Sequence, residues 1–203
     1  HWSTALPDGA PHRLTDDGRH RGPLWSPSGR WLAYFKDSAL WTVAFGKGTP
    51  HSIGDPVNQV AWSPVEDRLA YIVGSGTLRL IVVDPDGTDE RVLFPLAGET
   101  TGGQGTRMAW RPDGAWIAAQ WSQGREAQGL WKIPADGGEP IALYESGVPD
   151  RGDAMLAGWT ADGAYLLFWQ GELLSASMLA DGVPVYALPA NGGDPLELAD
   201  AVL

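Results

Sequence analysis

Cysteine is missing altogether from the 203 residues. That removes disulfides, thiolate catalysis, iron–sulfur clusters and cysteine-based zinc sites together. It suits an exported protein without requiring one. Positive charge is scarce: 14 Lys and Arg stand against 25 Asp and Glu, a formal net charge of −11. A nucleic-acid backbone as main partner needs clustered Lys and Arg, so that class is set aside. No apolar run reaches the roughly 18 residues of a membrane helix, and no signal-peptide pattern opens the chain. The first residue is His1 rather than Met, and a trimmed piece of a longer protein is the expectation. Histidine is limited to His1, His12, His20 and His51. With none in the rest of the chain, a histidine-based catalytic centre is not expected. Helical periodicity is also lacking.

What is abundant points one way. Eleven Trp accompany 27 Gly and 16 Pro, yet 43% of residues are hydrophobic. That mixture disfavours both helices and disorder, and favours short strands joined by tight turns. Four segments then align: Leu24-Trp25-Ser26-Pro27-Ser28-Gly29-Arg30-Trp31-Leu32-Ala33-Tyr34, and the stretches 61–71, 109–119 and 158–168. Their anchoring residues Trp25, Trp62, Trp110 and Trp159 are 37, 48 and 49 positions apart. This spacing fits four-stranded propeller blades better than a helical repeat.

Each unit reads as four strands. The first ends in Trp, and a turn such as Ser26-Pro27-Ser28-Gly29 follows, with Pro presetting φ and Gly taking the φ > 0 position. Second and third strands follow. A further turn, such as Asp84-Pro85-Asp86-Gly87, leads to a short, more polar outer strand. The unit at 61–71 carries Val65-Glu66-Asp67 in its turn, which predicts a longer or differently shaped connection, and the unit at 158–168 lacks the Pro.

The repeat resembles the TolB-like, WD-repeat-like β-propeller family, whose blades carry a Trp-Ser-Pro-Asp-Gly-type motif; the likeness covers nearly the whole chain. The expected fold is all-β, a single propeller domain over 1–203 with blades near 22–54, 58–95, 106–144 and 155–198. Residues 2–14 read as the third strand, turn and fourth strand of another blade. About four and a half blades are thus expected, part of a six-bladed or larger ring, since propellers have roughly four to eight. An open arc exposes sheet faces, so closure through a missing segment or a second copy is expected. The resemblance implies a non-catalytic scaffold for a protein or peptide, outside the cytoplasm. Its alternatives are the propeller portion of a prolyl-oligopeptidase-like hydrolase or of a lyase, or a sugar-binding propeller. No Gly-x-Ser-x-Gly elbow occurs, so the chain is not the catalytic part of such a hydrolase.

Antiparallel strands alternate direction, so the short Gly/Pro turns share one rim and the long connections 95–106, 121–129, 145–155 and 170–184 share the other. Long loops on a rigid scaffold are where ligands usually bind. The candidate binding residues are therefore Gln59, Gln104, Arg107, Arg125, Glu126, Arg151 and Asp153. Gln59 and Arg107, with Arg21, start inner strands at the channel. Trp121 and Trp169 end second strands near this rim and are candidate exposed stacking surfaces for a sugar or peptide, with packing as the alternative. The recurrent Trp25, Trp62, Trp110 and Trp159 read as wedges between blades. His12 and His51 occupy equivalent fourth-strand positions, which favours structure over metal binding. Asp84–Glu90 departs from calcium-loop spacing and reads as a turn. Arg151-Gly152-Asp153 and Gly102-Gly103-Gln104-Gly105 carry no context for adhesion or phosphate binding. No catalytic residue, metal or cofactor is assigned.

Overall fold

The repeated units form four antiparallel sheets in a computed structural model. The structure describes residues 2–3, 12–13, 20–46, 48–75, 78–94, 107–123, 127–145, 154–170 and 183–199. A hairpin of β1 (Trp2–Ser3) and β2 (His12–Arg13) comes first. The first full blade is β3 (His20–Trp25), β4 (Trp31–Lys36), β5 (Ala39–Ala44) and β6 (His51–Gly54). The second is β7 (Val57–Trp62), β8 (Leu69–Val73), β9 (Arg79–Val83) and β10 (Arg91–Phe94). The third is β11 (Met108–Trp110), β12 (Trp116–Gln123), β13 (Ala127–Pro134) and β14 (Ile141–Glu145). The fourth is β15 (Ala154–Trp159), β16 (Tyr165–Gln170), β17 (Val185–Pro189) and β18 (Leu196–Ala199). Each sheet is a simple meander. The first strands neighbour one another, β3 against β7, β7 against β11 and β11 against β15, so they are the inner strands. No helix occurs among the described residues. Trp2 pairs with Arg13 as Trp41 pairs with Ser52, so β1–β2 repeats the third-and-fourth-strand register of the first full blade.

The core lies between blades. Side chains alternate across a strand, so a blade packed on both faces buries every position of its second strand. β8 is buried throughout. Leu69, Tyr71 and Val73 face Ala33, Leu40 and Ile53 of the first blade. Ala70 and Ile72 face Ile117, Ala119 and Trp121 of the third. Ala118 and Leu130 of the third meet Leu156, Leu166 and Phe168 of the fourth. Each Leu, Ile, Val or Phe among these contributes roughly 1.5–3 kcal/mol through burial.

Polar stitches fix the blades in register. The indole N–H of Trp62 donates to Leu24 O (3.0 Å), that of Trp110 to Ala61 O (3.2 Å) and that of Trp159 to Ala109 O (3.1 Å). In every case the acceptor immediately precedes the anchoring Trp of the blade before. Third strands add a second stitch: Thr42 Oγ1 donates to Pro85 O, and Lys132 Nζ to Ala190 O at 2.6 Å. Lys132 also lies 4.6 Å from the centre of the Trp116 ring. Burial, then the nearby Arg111, lowers its pKa.

The first turns close alike. Ser26 N–H donates to Trp31 O, Ser63 N–H to Arg68 O, Arg111 N–H to Trp116 O and Thr160 N–H to Tyr165 O. The second turn is therefore no longer than the others. Its shape does differ: it lacks the Gly29 N–H to Ser26 O bond of the first turn, and Arg68 N–H donates to Glu66 O instead.

Candidate functional site

With the strand directions fixed, one rim carries the connections 26–30, 63–68, 111–115 and 160–164, with the third-to-fourth-strand turns. The opposite rim carries 95–107 and 171–184, the two longest intervals between strands, together with 146–153. The inner strands also begin on this second rim, at Val57, Met108 and Ala154. The interval expected at 121–129 is mostly strand: β12 and β13 pair out to Gln123 and Ala127, leaving 124–126 as the connection.

That extension corrects the reading of Trp121 as an exposed stacking surface. Trp121 pairs across to Gly129, points toward the second blade and meets Phe94 edge-on at 4.9 Å. It is 2% exposed. Trp169 is likewise buried, at 3%, because it lies inside β16 opposite Met155 and Val185. Neither presents a free ring. Among the described residues neither buried indole N–H has an acceptor, unlike the stitching tryptophans, so these rings contribute area rather than hydrogen bonds there.

Gln59 is held by the next blade. Its Oε1 accepts from Met108 N (2.8 Å) and its Nε2 donates to Met108 O (3.5 Å). Gln120, which no sequence signal singled out, makes the same kind of clamp one blade on: its Oε1 accepts from Leu156 N at 3.0 Å. A Gln inside the otherwise apolar run 116–121 is the signal that could have found it. Beside it, Gln170 donates to the Tyr144 hydroxyl at 2.6 Å.

Arg107 immediately precedes β11, the inner strand of the third blade, and is exposed. Its guanidinium lies 4.9 Å from the centre of the Trp169 ring, in β16 of the fourth blade. The structure thus joins two of the candidate residues, one as the exposed group and the other as its buried platform. Arg21 lies over Phe35 (5.8 Å) and donates to Asp37 O (3.2 Å). Gln104, Arg125, Glu126, Arg151 and Asp153 lie outside the described residues.

The turn rim carries a set of ion pairs. Arg30 pairs with Asp67, Arg68 with Asp136 and Asp89, Arg91 with Asp89, and Arg111 with Asp113, all at 2.7–3.2 Å. Burial pushes Asp67 up, but hydrogen bonds from Ser28, Ser26 and Arg30 outweigh it and hold its carboxyl below the usual range. The Thr88 and Thr160 hydroxyls do the same for Asp86 and Asp162. Among the described residues no group of three His, Asp or Glu converges as a metal would require, and no helix is long and apolar enough to cross a membrane.

No family model matches the chain. It is 31% identical over 134 residues to an uncharacterised protein of Agrobacterium fabrum, a stretch covering 56% of this chain and 44% of that one. A solved structure from Agrobacterium tumefaciens, assigned as TolB, superposes with a TM-score of 0.61 at 16% identity, over 89% of this chain and 62% of that one. The β-propeller domain of the Trilobed protease from Pyrococcus furiosus superposes with a TM-score of 0.59 at 11% identity, over 97% and 62%. The chain covers less than two thirds of each relative's length. The described blades have the TolB-like β-propeller fold.

Proposed function

We propose that this chain is part of a non-catalytic propeller that binds a protein or peptide on its long-connection rim and at the channel mouth. One observation carries the reading: the meander gathers the long connections and the starts of the inner strands on one rim, away from the tight turns. Exposed Arg107, on its Trp169 platform, stands there. The resemblance to TolB-like propellers supports an extracytoplasmic setting and a ring of six or more blades. The absence of cysteine makes the test clean, since one introduced thiol can be labelled alone. Peptides are selected against the chain from a displayed random library. A polyethylene-glycol maleimide is then attached at Ser75→Cys on the long-connection rim or at Asp113→Cys on the turn rim, both exposed positions. Binding should be lost with the label at 75 and kept with the label at 113. The reverse pattern, or no selectable peptide, overturns the reading.

A second reading is the propeller portion of a hydrolase, favoured by the likeness to the Trilobed protease propeller. A full-length product that cleaves peptides, and loses that activity on alteration of a Gly-x-Ser-x-Gly serine outside this segment, would replace the binding-module reading.

A further inference from the structure

The structure assigns Arg107 as a carboxylate receptor at the channel mouth, with the partner peptide supplying an Asp or Glu side chain or its C-terminal carboxylate; this rests on the binding reading above. The argument begins with charge. In a chain of net charge −11, arginines readily find carboxylates, and Arg30, Arg68, Arg91 and Arg111 on the turn rim all do. Arg107 has no carboxylate partner among the described residues. Its contact is the face of Trp169.

That contact sets the chemistry. A guanidinium lying on an aromatic face keeps its in-plane N–H donors free at the edge, and that planar fork matches the two oxygens of a carboxylate. Stacking also restrains the side chain, so less rotamer freedom is lost when a ligand arrives. Trp169 is itself fixed, being 3% exposed within β16. The other described arginines on this rim lack the combination. Arg21 already donates to Asp37 O, and Arg79 starts a third strand rather than an inner one. Arg21 is also exposed and lies over a ring, that of Phe35, but Arg107 alone among them lies over a fully buried ring and makes no side-chain hydrogen bond to a described residue.

The test uses peptides selected against the chain from the displayed random library. Selection should enrich Asp and Glu over the starting library. Arg107→Gln should weaken the selected peptides about tenfold, a difference of about 1.4 kcal/mol. Arg107→Lys should recover part of the loss, because a point charge replaces the fork. Arg30→Gln, an exposed turn-rim change, should leave affinity within twofold. Changing the peptide's Glu to Gln, or amidating its C terminus, identifies which carboxylate is read. The effective change should cost wild type about as much as Arg107→Gln does, and cost the Arg107→Gln variant nothing further. Selected peptides without acidic enrichment, or affinity unchanged in Arg107→Gln, overturn the inference. The binding reading survives that result if the label at position 75 still blocks. Absence of any rim-binding peptide overturns both.

Discussion

Asp67 belongs to the turn of the second blade but serves the first. Its Oδ2 accepts from Ser28 Oγ at 2.7 Å and from Arg30 Nη2 at 2.9 Å. In the third and fourth blades the turn aspartate serves its own turn, Asp113 accepting from Ala115 N and Asp162 from Ala164 N. The two departures from the repeat, Ser28 and Val65-Glu66-Asp67, are therefore complementary. Asp67→Asn should destabilise the chain at pH 7 by about 1 kcal/mol, a small effect because Arg30 is mostly exposed and its pairing is screened. The folded pKa lies below the unfolded one, so the stability is present above about pH 4 and lost as the pH falls through the folded value. Urea unfolding of both proteins should show the gap at pH 7 and a shrinking gap toward pH 3; a gap independent of pH would deny Asp67 this role. The same residues mark what could be read in advance. The anchoring tryptophans recur at fixed phase, so the packing of Trp62, Trp110 and Trp159 was legible, whereas the exposure of Trp25 was not. Trp121 and Trp169 each occur once, and their burial depends on the length of β12 and on Phe94 and Arg107 from neighbouring elements.

At the scale of elements, the tight turns also stack sideways. Gly114 has φ +72° and a Cβ there would lie 2.4 Å from Val65 Cγ2, in the turn of the preceding blade. Gly29 has nearly the same φ, +71°, with nothing within 4 Å. The pair separates backbone strain from collision. Gly29→Ala should cost about 1–2 kcal/mol, the conformational penalty alone. Gly114→Ala should cost about 1–3 kcal/mol more from overpacking. Val65→Ala should return much of that excess in the double variant while doing nothing for Gly29→Ala. Equal losses at the two glycines, by urea midpoint, would mean that the turns do not seat on one another. Strand order and rim assignment were legible because turn chemistry and alternation repeat four times. The end of the 121–129 connection was not, because Ser122 and Gln123 extend a hairpin without any apolar signal.

In the whole molecule, the tryptophan stitch gives each blade interface a direction, and one anchoring residue stands apart. Trp62, Trp110 and Trp159 are partly buried and hydrogen-bonded to the blade before. Trp25 is 43% exposed, with Leu24 at 38% and Phe45 at 50% beside it, and its ring meets Phe45 edge-on at 5.4 Å. By the logic of the repeat this flank is where the inner strand of a further blade would seat, offering a carbonyl to the Trp25 indole. Two equal truncations measure the difference. Trp110→Ala removes a wedge and a stitch and should cost about 3–5 kcal/mol. Trp25→Ala should cost about 1 kcal/mol in the 203-residue chain, since most of what it would bury comes from outside the described blades. In a longer protein that adds the neighbouring blade, the Trp25→Ala cost should rise toward that of Trp110→Ala. Urea unfolding with unchanged m-values reads both numbers; equal costs in the 203-residue chain would mean that this flank is already fully packed.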